Sequence, residues 1–196
     1  GSALKVAIIR YNAGNIRSVV HALRRLGVEP EVTTDPVALR TADRVIFPGV
    51  GEASSAMRYL RERGLDTLIP QLEQPVLGIC LGQQLLCQSS EENDTDCLGV
   101  FPGAVLAFPP QDKVPHIGWN SLEKLRGPLF RGIAEGSHVY FVHGYYAETG
   151  PLTTALTDYI LPFSAAMQRR NFHAVQFHPE KSGDVGAAIL KNFLTL

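Results

Sequence analysis

The sequence has few cysteines, almost no net charge and no long apolar run. Its 196 residues include only Cys80, Cys87 and Cys97, with no CxxC pair, and an odd, unpatterned set of this kind is typical of a reducing cytosol. The formal net charge of −1 offers no basic surface to nucleic acid or to an anionic membrane. No apolar run reaches the ~18 residues that span a bilayer. We therefore expect a cytoplasmic protein with neither a membrane nor a nucleic acid as its partner.

Two common ligand-binding patterns are also missing. There is no GxxxxGK[ST] segment, which argues against a phosphate-cradling loop. His173 and His178 lie five residues apart in a predicted strand, so they face opposite sides and make a poor pair of metal ligands. We therefore predict no cofactor and no metal.

The remaining composition is that of one globular domain. The chain is 45% hydrophobic and 19% charged, which is enough apolar material for a sizeable core. It shows no repeat, linker or low-complexity stretch. We predict a single domain over residues 3–196, with Gly1 and Ser2 resembling an expression scar.

Strands and helices alternate in the first half. Short apolar runs predict strands, and apolar residues at helical spacing predict helices between them. The predicted strands are Leu4–Ile9, Glu29–Thr34, Arg44–Phe47 and Val76–Ile79, and the predicted helices cover about Ile16–Leu26, Ala53–Arg63 and Leu81–Gln88, with a turn at Asn12–Asn15. The alternation favours an open, mainly parallel sheet with right-handed crossovers.

The second half reads differently, as short strands punctuated by Pro and Gly. Strands are predicted over Val100–Phe108, Val139–His143, Thr153–Thr157, Ser164–Arg169 and His173–His178, followed by a helix from about Asp184 to Leu194 with Asp184 as its N-cap. We expect these strands to add antiparallel hairpins to the sheet. The predicted fold is therefore α/β and flavodoxin-like, with a mainly parallel open sheet and helices on both faces.

The segment Gly78-Ile-Cys-Leu-Gly82 fits a nucleophile elbow. Cys80 lies between a strand and a helix, with glycines two residues before and two after, where a tight turn needs small neighbours. The positive end of the following helix favours a thiolate at Cys80. A buried, inert cysteine at a strand end is the alternative.

Two further segments carry groups that an acyl transfer would need. In Gln176-Phe-His-Pro-Glu180, an extended backbone would place His178 and Glu180 on one side, so the carboxylate can orient the imidazole. In Pro48-Gly-Val-Gly51, the glycines let backbone amides face a ligand, as an oxyanion hole requires. Each segment alone also fits an ordinary strand end or loop. All three follow strands, and ligands in open α/β sheets bind at the carboxyl ends of strands.

At these residues the chain resembles the class I glutamine amidotransferases. That family carries a GxCxGxQ motif and a late FHPE segment, which read GICLGQQ at 78–84 and FHPE at 177–180 here. The resemblance implies that Cys80 attacks the side-chain amide of glutamine, giving a thioester, ammonia and then glutamate, with His178 as base and Glu180 as its orienting partner.

Within the family, further segments resemble the members that deliver ammonia to a separate (β/α)8-barrel cyclase, which makes imidazole glycerol phosphate for histidine biosynthesis. Those segments are YNAGNIRSV (11–19), PGVG (48–51), PHIGWN (115–120), YFVHGYY (140–146) and VQFHPEKSG (175–183). The resemblance implies oxyanion amides at Gly49, Val50 and Leu81, and glutamine-binding positions at Gly51, Gln84, Glu92, His143 and Gly144. We expect Trp119 and Lys181 to help dock the cyclase as a heterodimer.

Two residues depart from the pattern, and one loop suggests a switch. Gln83 stands where the family usually has Met, next to the pocket, and Gly144 stands where we expect Ser, so a side-chain hydroxyl is absent there. Because glycines flank Val50, the Gly49–Val50 peptide could rotate cheaply and present either a carbonyl or an amide to the oxyanion. We expect the cyclase partner to favour the amide.

Two other functions remain open at this point. A glutaminase of the pyridoxal phosphate, anthranilate or guanylate pathways would share Cys80, His178 and Glu180, although PHIGWN and YFVHGYY argue against it. A non-catalytic binding module on the same sheet would not need the three residues together.

Overall fold

A computed structural model describes residues 3–11 and 16–196. The predicted scar at Gly1 and Ser2 and the predicted turn at Asn12–Asn15 lie outside these residues. The strands are β1 (Val6–Ile9), β2 (Glu31–Thr33), β3 (Arg44–Phe47), β4 (Val76–Ile79), β5 (Ser89–Ser90), β6 (Thr95–Asp96), β7 (Ala104–Ala107), β8 (His116–Ser121), β9 (His138–His143), β10 (Tyr145–Ala147), β11 (Thr153–Tyr159), β12 (Leu161–Arg169) and β13 (Phe172–Val175). The α-helices are α1 (Arg17–Arg25), α2 (Pro36–Thr41), α3 (Ala53–Glu62), α4 (Leu65–Leu68), α5 (Leu81–Leu86) and α6 (Gly183–Leu194).

A seven-stranded sheet organises the described part of the chain. Its order is β11-β12-β13-β4-β3-β1-β2. The five strands from β13 to β2 are parallel, and β12 and β11 add an antiparallel hairpin at one edge. The predicted mainly parallel sheet with antiparallel strands from the second half is confirmed.

The core has two layers, one on each face of this sheet. Alternate strand residues point to opposite faces, so Val45 packs in one buried cluster and Ile46 in the other. Helices α3 and α5 cover the first face, and α1 and α6 cover the second. The predicted helices on both faces are therefore present.

Two of the predicted second-half strands do not join the large sheet. β7, within the predicted 100–108 segment, pairs with β5 and β10 in a four-stranded sheet, while β9 pairs with β8 in a two-stranded ribbon. Strand β8 is hard to detect in the sequence, because its apolar residues Ile117 and Trp119 are exposed and His116 is buried. In the usual alternation of a half-exposed strand, the apolar side chains are buried and the polar ones are exposed.

Several helix and strand ends also differ from the prediction. Ser182 occupies the N-cap of α6, so Asp184 lies in the first turn instead of capping it. β13 ends at Val175, before the predicted limit of His178. The short helix α2 was missed, although Asp35 caps it by accepting a hydrogen bond from Ala38 N (3.3 Å) and Pro36 begins it. None of the described helices is long and apolar enough to cross a membrane.

The register of three neighbouring strands brings the chemical segments to one edge. Phe47 of β3 pairs with Gly78 of β4, and Val175 of β13 pairs with Ile79. Because these strands are parallel, the residues that follow each of them emerge together. Those residues are the three segments singled out in the sequence: 48–51, Cys80 and 176–180.

Candidate active site

Cys80 occupies the sharp turn between β4 and α5. Its backbone has φ 55° and ψ −110°, a left-handed conformation that non-glycine residues adopt rarely. The turn is tight on both sides. A Cβ on Gly82 would lie 1.9 Å from the Phe47 carbonyl oxygen, and one on Gly78 would lie 3.0 Å from the Gly82 backbone. The glycines are thus required by close backbone packing, as the elbow prediction assumed.

The Cys80 thiol lies at the wall of a cavity of about 220 Å³. The residue is 6% exposed. Its sulfur is 3.7 Å from the Val142 carbonyl oxygen, which can accept the thiol proton, and 3.6 Å from Gln176 Nε2. The thiol is therefore accessible to a small ligand through the cavity but is otherwise enclosed by protein.

His178 and Glu180 form a buried pair close to Cys80. His178 Nδ1 lies 3.0 Å from Glu180 Oε2, and the two side chains are 3% and 4% exposed. Burial by itself lowers the pKa of His178. The neighbouring Cys80 and Glu180 outweigh that effect and raise the pKa to about 10. The imidazole therefore holds a second proton readily.

The geometry that joins His178 to Glu180 differs from the predicted extended segment. A 3-10 turn over Pro179–Lys181 follows His178 directly, and this turn carries the carboxylate back to the ring. Ser182 braces the turn, since its hydroxyl donates to the His178 carbonyl oxygen (2.6 Å) and accepts from Tyr140 N (3.0 Å). Ser182 lies in the VQFHPEKSG segment, and no local sequence pattern predicted this contact.

The loop 48–51 has its Gly49 carbonyl turned toward the elbow. The Leu81 amide donates a hydrogen bond to the Gly49 oxygen (3.1 Å). This is the carbonyl-facing orientation of the two considered for the Gly49–Val50 peptide. Tyr11 packs against the same glycine, where a Cβ would come within 1.3 Å of the phenol oxygen. Gly49 therefore has no room for a side chain.

All of the residues predicted to bind glutamine line one cavity. Its walls are formed by Val50, Gly51, Cys80, Leu81, Gln84, Glu92, Val142, His143, Gly144 and Tyr145. Sequence reasoning missed Val142 and Tyr145, which contribute backbone from the end of β9 and the start of β10. Glu92 Oε1 accepts from Ala53 N (2.8 Å). Burial raises the pKa of Glu92, partly offset by that hydrogen bond.

The two departures from the family pattern have different consequences. Gln83 is fully buried and donates to the Ser164 carbonyl oxygen (3.2 Å), so its side chain points to β12 and does not form part of the cavity wall. Gly144 does line it. A Cβ there would make ordinary contacts, 3.8 Å from Val114 and 4.0 Å from Pro115, so the absence of Ser at this position reflects no lack of space.

Trp119 and Lys181, the predicted partner residues, are both exposed beside the site. Trp119 is 56% exposed, and it pairs across the ribbon with Tyr140. The Tyr140 backbone carbonyl oxygen accepts a hydrogen bond from the His178 backbone amide (3.0 Å). Ile117, on the same strand face as Trp119, is 54% exposed. An apolar surface patch thus lies next to β9, whose Tyr140 carbonyl oxygen binds the His178 backbone.

The chain belongs to the glutamine amidotransferase class-I family, whose model matches residues 7–196. Solved structures share the fold at low identity. A GMP synthase protein of Thermoplasma acidophilum superposes with a TM-score of 0.73 at 21% identity, covering 100% of this chain and 94% of that one. PurLQS of Thermotoga maritima gives a TM-score of 0.71 at 18% identity, with 97% of each chain covered.

Sequence relatives are much closer. The chain is 57% identical over 196 residues to imidazole glycerol phosphate synthase subunit HisH of Bacteroides fragilis, covering 98% of this chain and 100% of that protein. It is 44% identical over 200 residues to the protein of the same name in Vibrio parahaemolyticus, covering 98% of each.

The environments of the three thiols predict selective alkylation. Burial raises the pKa of Cys87 to about 12 and that of Cys97 to about 11, so both stay protonated near neutral pH, whereas Cys80 lines the cavity. We expect iodoacetamide at pH 8 to label Cys80 first, as located by peptide mass spectrometry. Cys80→Ala should remove that label and Cys97→Ala should leave it. Equal labelling of Cys97 and Cys80 in the folded protein would contradict this assignment.

Proposed function

We propose that this chain hydrolyses glutamine to glutamate and ammonia through Cys80 and passes the ammonia to a cyclase that makes imidazole glycerol phosphate in histidine biosynthesis. The observation that carries the proposal is the cavity that holds Cys80 together with all five predicted glutamine-binding positions. Relatives 44–57% identical over 98% of the chain are named as subunits of imidazole glycerol phosphate synthase. The likeness to proteins of other pathways is one of fold alone.

The proposed chemistry follows from the Cys80, His178 and Glu180 arrangement. His178 takes the proton of the Cys80 thiol, and the resulting thiolate attacks the glutamine side-chain carbonyl carbon. The imidazolium then gives that proton to the departing nitrogen, which leaves as ammonia. A γ-glutamyl thioester remains on Cys80. His178 then takes a proton from water, whose oxygen displaces the sulfur and releases glutamate. Glu180 holds the imidazole and stabilises its charged form. These steps need neither a cofactor nor a metal.

A rotation of the Gly49–Val50 peptide is the proposed switch. With the Gly49 oxygen bound to the Leu81 amide, a carbonyl dipole stands where an oxyanion would need donors. Rotation would release the Leu81 N–H and turn the Val50 N–H inward, giving two donors. The cyclase would have to bind the rotated state more tightly, since equal affinity for both states shifts nothing.

The partner is proposed to cover the face that carries Ile117, Trp119 and Lys181. The patch adjoins β9, whose Tyr140 carbonyl holds the His178 backbone. A (β/α)8-barrel seated there would form a heterodimer and close the cavity from water. Free cysteines at all three positions fit the cytoplasmic location expected from the sequence.

Replacing Cys80 should prevent the use of glutamine as a nitrogen source but not the use of ammonium. In the complex with the cyclase, Cys80→Ala should abolish glutamine-dependent product formation but leave ammonium-dependent formation intact, because ammonia needs no thiol. Coupled assays with glutamine and with ammonium chloride measure the two. Cys97→Ala, the control, should keep both activities. Glutamine-dependent turnover that survives in Cys80→Ala would refute the nucleophile.

Removing the Val50 amide should impair only the stimulated reaction. Val50→Pro eliminates the N–H that the switch needs, and the loss of one oxyanion donor lowers kcat by ~10²–10³-fold. We expect KM for glutamine to change far less, because the carboxamide is bound before the oxyanion forms. Val50→Ala keeps the N–H and is the matched control. If the two variants turn over equally fast with ligand-bound cyclase, the Val50 amide has no such role.

Truncating Trp119 should weaken the complex without harming the isolated chain. Exposed Trp residues at an interface centre contribute ~2 kcal/mol or more, so Trp119→Ala should raise the dissociation constant about 30-fold. Titration calorimetry with the cyclase measures this change. Val37→Ala removes another exposed apolar side chain, 63% exposed on α2, and should leave the affinity unchanged. Unaltered affinity in Trp119→Ala would place the partner elsewhere.

A further inference from the structure

A series of hydrogen-bonded side chains leads inward from half-buried Asn120 on β8 toward Cys80. Asn120 Nδ2 lies 3.3 Å from His116 Nε2, and His116 Nδ1 lies 2.9 Å from His143 Nε2. His143 Nδ1 in turn lies 2.8 Å from the Tyr145 carbonyl oxygen. This first half of the series joins the strand that carries exposed Trp119 to the wall of the Cys80 cavity.

In this half of the series, the Tyr145 carbonyl oxygen determines the direction of every hydrogen bond. A carbonyl oxygen only accepts, so His143 Nδ1 carries a proton. Burial lowers the pKa of His143 to about 3 and that of His116 to about 4, so both rings are neutral at pH 7. His143 Nε2 must then accept from His116 Nδ1. His116 Nε2 must likewise accept from the Asn120 amide.

The second half of the series starts at the same Tyr145 carbonyl oxygen. It also accepts from Gln84 Nε2 (3.0 Å), and that nitrogen donates its other proton to Gln176 Oε1 (2.9 Å). With its oxygen engaged by Gln84, the Gln176 amide turns its Nε2 toward Cys80 Sγ, 3.6 Å away. Gln176 is fully buried, so no solvent competes for either end.

The orientation of the Gln176 amide matters because its two ends have opposite polarity. A donor at the sulfur stabilises the thiolate, whereas a carbonyl oxygen in the same place would repel it. We propose that Gln176 is a positioning residue that keeps an N–H on Cys80, and that Asn120, His116 and His143 fix it by anchoring the Tyr145 carbonyl. The proposal rests on the glutaminase function proposed above. It adds roles for Gln176, Asn120 and His116, to which the sequence assigned none, and a second role for His143.

The packing around His116 supports a fixed ring. It stacks on Tyr159, with centroids 4.1 Å apart and planes 13° apart, and on Phe141 at 4.9 Å and 26°. The ring is held between two aromatic faces while both nitrogens are hydrogen-bonded. Asn120 donates as well to the Asp158 carbonyl oxygen (3.1 Å), which ties the outer end of the series to β11.

Two substitutions that roughly keep the side-chain volume each interrupt the series, one in its first half and one at its last member. His116→Phe keeps the stacked ring but removes the donor to His143, and Gln176→Leu removes the amide at Cys80. His173→Phe is the matched control, because His173 is also a buried histidine but packs edge-on against the Phe193 ring, away from the series. Each variant is assayed in the complex with cyclase and nucleotide at saturating partner, alongside the double variant.

We expect Gln176→Leu to lower kcat by about 10²-fold, the scale of a misplaced reacting group, with little change in KM. His116→Phe should lower kcat by less, about 10-fold, and the double variant should fall no further than Gln176→Leu, because residues in one network are not additive. His173→Phe should keep the wild-type kcat. Additive losses, or wild-type kcat in both single variants, would overturn the proposal.

Nitrogen-15 NMR of the imidazoles tests the hydrogen-bond directions independently of activity. In the wild-type chain at pH 7, His116 and His143 should both be neutral with the proton on Nδ1. In His116→Phe the His143 proton should stay on Nδ1, where the Tyr145 carbonyl accepts it, but the Nε2 signal should shift because its hydrogen-bond donor is gone. A wild-type His143 with its proton on Nε2 would overturn the proposed directions of the hydrogen bonds in the series. A wild-type complex without glutaminase activity would instead refute the proposed function, so the two failures are distinguishable.

Discussion

The left-handed backbone at Cys80 is the constraint on which the site depends. A non-glycine residue in such a conformation costs about 1–3 kcal/mol and persists only when its surroundings hold it. Here Cys80 N donates to the Val175 carbonyl oxygen (2.9 Å), and the Cys80 carbonyl oxygen accepts from Gln83 N (3.0 Å). One bond ties the residue to the neighbouring strand and the other starts α5. Release of the turn would remove the thiol from the cavity.

That turn needs contributions from both halves of the chain. The parallel core of the sheet supplies β3 and β4, whose close approach to α5 leaves space only for Gly82. The second half supplies β13, which pairs with β4 and leads into Gln176 and His178. The ribbon of β8 and β9 then encloses the sulfur through the Val142 carbonyl. Cys80 is thus surrounded by distant segments of the chain, including Gln176, which lies 96 residues away in sequence.

Electrostatics inside this enclosure depend on a few buried polar groups. His178 and Glu180 are a buried pair in which the carboxylate offsets the cost of burying a charged imidazole. His116 and His143 take the opposite course and stay neutral because burial lowers their pKa. The two pairs of buried side chains therefore differ in charge: His178 and Glu180 form a charged pair, whereas His116 and His143 are neutral rings joined by a hydrogen bond.

The sequence by itself determined the parallel sheet, the elbow at Cys80 and the two helix layers, because each depends on local periodicity, glycine spacing or strand order. Tertiary structure decided the rest. β8 was missed because its exposed face is apolar and its buried face holds His116, so alternation pointed the wrong way. Gln83 was expected next to the pocket, and its side chain bonds to Ser164 on β12, which local spacing cannot reveal. Gln176 touches Cys80 only because β13 pairs with β4, and the Gly49 carbonyl faces Leu81 only because β3 ends beside the elbow. Contacts between distant segments are set by strand pairing, and no pattern within a single segment encodes them.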